Sequence, residues 1–173
     1  GRADKIVKTA VNEKGEFSKD NLNITLQLMN DFKGSEMCRD NDEIYMAQLL
    51  IEMSSNKSGK INSRLLEENK KDIPDLYKIL DEEDRTSFRF LLQNAITPDG
   101  RFDKRIFEKI NELKNLNDGI GDPNYIKTIV NFLDACKDSE GNFSIEMYND
   151  GVMLVKKHGL DKQPDYQKCI WQL

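Results

Sequence analysis

Few side chains in this chain carry catalytic or metal-binding potential. The acidic run Asp81-Glu82-Glu83-Asp84 could hold a cation or supply a paired acid and base. Consecutive acids on a helix project in different directions, however. The run therefore reads as the solvated start of a helix, where negative charge complements the helix dipole. His158 is the one histidine. A catalytic imidazole needs a nucleophile or carboxylate held beside it, and none stands at motif spacing. Next to Lys156 and Lys157, it reads instead as part of a cationic helix C-terminus. Cys38, Cys136 and Cys169 show no CxxC spacing for metal or redox work. There is no glycine-rich phosphate loop, GxSxG elbow or HExxH pair. The expectation is a chain that is not an enzyme and has no cofactor, catalytic or metal residues. Tyr166 and Trp171 are aromatics suited to anchor a partner, and are the candidate partner contacts.

The elements that would position any of these residues come from a stretch that occurs four times. The copies are Asn12-Glu13-Lys14-Gly15-Glu16-Phe17-Ser18, Asn56-Lys57-Ser58-Gly59-Lys60-Ile61-Asn62, Thr97-Pro98-Asp99-Gly100-Arg101-Phe102-Asp103 and Asp138-Ser139-Glu140-Gly141-Asn142-Phe143-Ser144. Their glycines lie 44, 41 and 41 residues apart, the signature of a tandem repeat. Each copy opens with a residue suited to the first position of a type I turn and places glycine fourth. Apolar residues stand twelve, nine and eight positions before each glycine, and a small one (Ala10, Ser54, Ala95 or Cys136) five before it. These offsets form one stripe of an α-helix. The shared small position makes Cys136 a packed core thiol rather than a nucleophile.

After each glycine the pattern changes to the start of a second helix. Phe17, Ile61, Phe102 and Phe143 are followed at once by Ser18, Asn62, Asp103 and Ser144, all good N-caps. Five residues past the large apolar position come Leu22, Leu66, Phe107 and Tyr148, at the spacing of a hydrophobic staple. The spacing predicts second helices over 19–30, 63–72, 104–115 and 145–158. A short extra helix is expected after Pro74, around Leu76 to Leu80. The pattern of Pro123 and Tyr125 returns as Pro164 and Tyr166, so the tail is read as the first helix of a fifth unit.

Composition limits the partners. A net charge of -5 and pI near 5.1 offer no basic footprint for nucleic acid. No apolar run reaches the roughly eighteen residues of a membrane span, and the chain reads as soluble. Three cysteines without a framework spacing favour a reducing compartment such as the cytoplasm. The chain starts Gly-Arg-Ala, and the expectation is a fragment of a longer protein, so secretion stays open.

A glycine-centred turn between two helices, with an apolar residue two positions on, resembles the EF-hand family. With the glycines sixth in that family's twelve-residue loop, Asn12, Asn56, Thr97 and Asp138 stand third, at a ligand position. The pattern departs at both ends: Ala10, Ser54, Ala95 and Cys136 stand first, while Asn21, Leu65, Ile106 and Met147 stand where the family has its bidentate glutamate. The resemblance thus implies degenerate EF-hand-like repeats with their calcium ligands largely lost.

The predicted fold is all-α, a single helical-repeat domain over 1–173. Its units are approximately 1–41, 42–84, 85–122 and 123–160, with a terminal helix at 161–173. The resemblance implies hairpins paired into two lobes; a short α-solenoid is the alternative. The expected function is a non-catalytic protein- or peptide-binding scaffold. Alternatives are a calcium-responsive module and a helical enzyme domain with carboxylates assembled by the fold.

Overall fold

The computed structural model describes residues 1–12, 14–39, 42–116 and 125–158. The protein is all-α. Its helices are α1 (Arg2–Thr9), α2 (Lys19–Phe32), α3 (Asp42–Met53), α4 (Ser63–Ile79), α5 (Phe88–Asn94), α6 (Lys104–Leu116), α7 (Tyr125–Ala135) and α8 (Ile145–Lys157). A 3-10 helix, Asp84–Ser87, leads into α5. Strand pairing among the described residues is limited to isolated bridges inside the turns: Val11 with Phe17, Ser55 with Ile61, Ile96 with Phe102 and Lys137 with Phe143.

The turns share one backbone hydrogen-bond pattern. The glycine amide donates to the carbonyl of the first turn residue, at 2.9 Å in Gly15 to Asn12, Gly59 to Asn56 and Gly100 to Thr97, and 3.0 Å in Gly141 to Asp138. The glycines take φ between 76° and 84°, a left-handed conformation that costs a side-chain-bearing residue. This is a type I turn closed by a glycine bulge. Outside it, the cap residue's amide donates back to the small residue: Ser18 to the Ala10 carbonyl, Asn62 to Ser54, Asp103 to Ala95 and Ser144 to Cys136, at 2.7 to 2.8 Å. All four small residues are buried, so the position tolerates little bulk.

Side chains then start the second helices. The Ser18 hydroxyl accepts from the Asn21 amide at 3.2 Å, Asn62 Oδ1 from Leu65 at 3.1 Å, Asp103 Oδ1 from Arg105 at 3.0 Å and the Ser144 hydroxyl from Met147 at 3.3 Å. Each satisfies an amide with no partner inside its helix, an effect of roughly 1 kcal/mol.

Two expectations fail. The second helix of the second hairpin does not stop near residue 72 with a separate helix after Pro74; α4 runs unbroken from Ser63 to Ile79 through that proline. Leu66, Ile73, Leu76 and Tyr77 are all buried along it. At roughly 1.5–3 kcal/mol per buried apolar side chain, this stripe outweighs the approximately 3 kcal/mol cost of an internal proline. The apolar stripe of the first hairpin is also buried only at its end: Ala10 is core, Ile6 is half-buried and Val7 is exposed. No residue within α1 itself is buried, whereas the equivalent Ala47, Leu50 and Ile51 of α3 are core, as are Phe88, Leu91 and Leu92 at the equivalent positions in the third hairpin.

By compactness the chain divides into Gly1–Tyr77 and Lys78–Leu173. In the first unit α2 packs on α3, burying Leu28, Met29 and Phe32 of α2. In the second, α6 packs on α7, and Phe88 of α5 meets Phe107 of α6 with ring centroids 6.2 Å apart. Gly151 of α8 lies against the Phe132 ring, where a Cβ would come within 2.8 Å of it. The expected terminal helix at 161–173 lies outside the described residues, with Tyr166, Trp171 and Cys169 on it; so do 117–124 of the third connection.

Candidate functional site

Inside each unit two turns meet. In the first, the Asn21 side-chain amide donates to the Gly59 carbonyl at 3.2 Å, and a Cβ on Gly59 would stand 3.0 Å from that of Asn12. In the second, the Arg105 guanidinium donates to the Phe143 carbonyl at 3.1 Å and lies over that ring, 5.3 Å from its centroid. Asp103 holds the same guanidinium through two hydrogen bonds of 2.9 and 2.7 Å, so one residue caps α6 and fixes the turn-to-turn link. Gly141 would bring a Cβ to 3.4 Å from Pro98.

The side chains that open the turns point into their own loops. Asn12 Oδ1 accepts the amides of Lys14 and Glu16, Asn56 Oδ1 those of Ser58 and Lys60, and Asp138 Oδ1 those of Glu140 and Asn142, at 2.9 to 3.0 Å. Thr97 uses its hydroxyl similarly, accepting from the Arg101 amide at 3.1 Å. The oxygens that open the turns therefore already bind loop amides.

The first turn differs from the others on its outer side. Phe17 is 58% exposed, whereas its counterpart Phe143 is 5% exposed and packs on Tyr148 with centroids 6.0 Å apart. Val11, bridged to Phe17, is also exposed, as are Val7 on α1 and Leu26 on α2, each at 47%. Beside this apolar set a cleft of about 360 Å³ opens between the first two turns and α3. Val11 lines it with Asn12, Asn21, Gln48 and Asn56, whose side-chain amides bond within the fold, Gln48 to the Lys5 carbonyl at 3.1 Å.

The acidic run is arranged differently from a solvated helix start. Asp81 precedes the 3-10 helix and its carbonyl accepts the amides of Asp84 and Arg85, so the chain turns back on itself. That turn aims three carboxylates at one point. Lys114 of α6 reaches Asp81 and Asp84 at 3.3 Å each and also pairs with Glu83. Asp84 is 1% exposed. Burial pushes its carboxyl above the ordinary range, an effect that the bond from Lys114 only partly counters. Burial pulls the Lys114 ammonium down, but its bonds to Glu83 and Asp84 outweigh this and raise it overall. Neither Asp84's burial nor Lys114 was legible in the run itself, because the partner lies thirty residues further on.

The thiols and the histidine have plain surroundings. Burial pushes Cys136 up to about 11, and burial with Asp42 and Glu43 does the same for Cys38. Both stay protonated near neutral pH, which makes them poor nucleophiles. His158 is exposed, and its amide closes the end of α8 on the Leu154 carbonyl. Asn21 and Arg105 were the linking residues that sequence reasoning missed; Asn21 stands at the glutamate position of the EF-hand comparison, which was its one signal.

Comparison of the chain with protein-family models, with curated proteins and with solved structures returns no match.

Proposed function

We propose that this chain is a non-catalytic protein- or peptide-binding module, made of EF-hand-like helix-turn-helix units joined turn to turn in pairs. The pairing is supported by Asn21 on Gly59 in one unit and Arg105 on Phe143 in the other. In this reading the turn centres are filled by the protein's own hydrogen bonds, and the turns act as joints that set the angle between helices. The observation that carries the binding role is the exposure of Phe17 beside Val11, at a position where the fourth turn buries the same residue type. An exposed aromatic next to a cleft suits an apolar peptide side chain.

A peptide-display selection against the full chain tests this. Selected peptides should share an apolar anchor and bind Phe17→Ser at least tenfold more weakly, while that variant keeps its helical circular dichroism. Equal binding to the wild type and to Phe17→Ser would sink the assignment of this face.

A further inference from the structure

We propose that the open apolar row of α8, Met147 and Leu154, is a docking face for residues 166–173 of the same chain. The face lies within the second unit and is independent of the Phe17 face proposed above.

The internal repeat shows what this row looks like when it is covered. The residues six, ten and thirteen positions past each turn glycine share one face of the second helix. In α6 they are Ile106, Ile110 and Leu113, all buried; in α2 the last of them, Leu28, is buried as well. In both cases the next helix of the unit packs on the second helix, α7 on α6 and α3 on α2. α8 carries the same row as Met147, Gly151 and Leu154, yet Met147 is 41% and Leu154 43% exposed. In α4, where the thirteenth position is also exposed, it is Asp72, a residue suited to water. An apolar pair left open at positions that a sister copy buries is the mark of a unit whose next neighbour belongs on it.

The occupant follows from the segment after α8, which repeats α7. Tyr166, Ile170 and Leu173 stand 41 residues after Tyr125, Ile129 and Phe132. The first of these reaches back to the preceding helix: the Tyr125 ring centroid lies 5.8 Å from the ammonium of Lys114, which follows Leu113 on α6. Val155 holds the place of Lys114 next to Leu154, so a tyrosine arriving there meets an apolar surface. The reach is equal too. Eight residues separate Leu116 of α6 from Tyr125, and eight separate Lys157 of α8 from Tyr166. At about 1.5 Å per helical residue, Tyr166 to Leu173 spans roughly 10.5 Å, the same rise as Met147 to Leu154.

Peroxide oxidation of the full chain, read by peptide mass spectrometry, tests the face, because thioether oxidation follows access to solvent. Met153, exposed on another side of α8, is the internal reference. In the wild type Met147 should oxidise at least threefold more slowly than Met153. In Tyr166→Ser/Ile170→Ser the two rates should come within twofold, with that of Met153 unchanged. The shielding of Met147 should persist at a hundredfold lower protein concentration, as a cover from the same chain requires. Acrylamide quenching of Trp171, the one tryptophan, is the second readout. Its indole should be at least twofold less accessible in the native chain than in urea, and Met147→Ser/Leu154→Ser should remove most of that protection while keeping its helical spectrum. A Met153 rate that rises together with that of Met147 marks general unfolding of the 166/170 variant, and the wild-type ratio and the Trp171 comparison then decide. Equal oxidation of Met147 and Met153 in the wild type, or a Trp171 as accessible in the native chain as in urea, would overturn the proposal. So would shielding that survives in a folded Tyr166→Ser/Ile170→Ser, or shielding lost on dilution, which would put a second copy on α8.

Discussion

Single residues separate the copies of the turn more than their pattern does. Phe17 and Phe143 hold the same sequence position, yet one faces solvent and the other is core. The difference lies in what covers them, and a residue's own type does not carry that information. Gly151 is a second case: nothing marks a glycine inside α8 as special, but the Phe132 ring occupies the space a Cβ would need. Gly151→Ala gains up to about 1 kcal/mol in helix propensity. It also forces a packed ring to move, at roughly 1–3 kcal/mol. We expect a net loss of about 1–2 kcal/mol in urea denaturation; a stabilised variant would mean that Phe132 moves aside freely.

Turns and caps were the elements most legible in the sequence, because their chemistry is local. A glycine that must take positive φ, a first residue that accepts loop amides and a cap that meets the second helix all fall within seven residues. Removing the cap in Ser144→Ala should cost about 1 kcal/mol, and Ser144→Asp should restore most of it. Equal stability of all three forms in chemical denaturation would mean that the cap bond contributes nothing. Helix ends were less legible. Pro74 is a strong local stop signal, overridden by a buried stripe whose partners are distant in sequence. The lack of burial within α1 and the convergence on Lys114 escaped for the same reason, since both depend on which segments meet in space.

At the scale of the whole molecule, two lowered carboxyls bear on acid stability, one paired within α6 and one joining α2 to α4. The bond from Lys109 holds the Glu112 carboxyl below its ordinary 4.5, with the Tyr148 hydroxyl adding to it at 3.0 Å. Asp31 is lowered in the same way by Lys70, 2.5 Å away. A carboxyl lowered by folding adds stability that is fully present above its unfolded pKa and is lost as pH falls through the folded one. Asp84 has the opposite sign: its folded pKa is raised, so acidification relieves part of the cost of burying it. Melting temperature should therefore fall between about pH 5 and pH 3, and fall less in Glu112→Gln than in the wild type. Parallel curves for the two would remove Glu112 from the explanation.

The binding role stands or falls on whether the face around Phe17 is occupied. A benzophenone side chain placed at position 17 of the full chain, and in a second variant at position 143, can be photo-crosslinked in an extract of the source cells. The prediction is a discrete crosslinked partner at position 17, saturable and competed by excess unmodified protein but not by Phe17→Ser, and none at position 143. Absence of a saturable crosslink at position 17, or equal competition by Phe17→Ser, would contradict it.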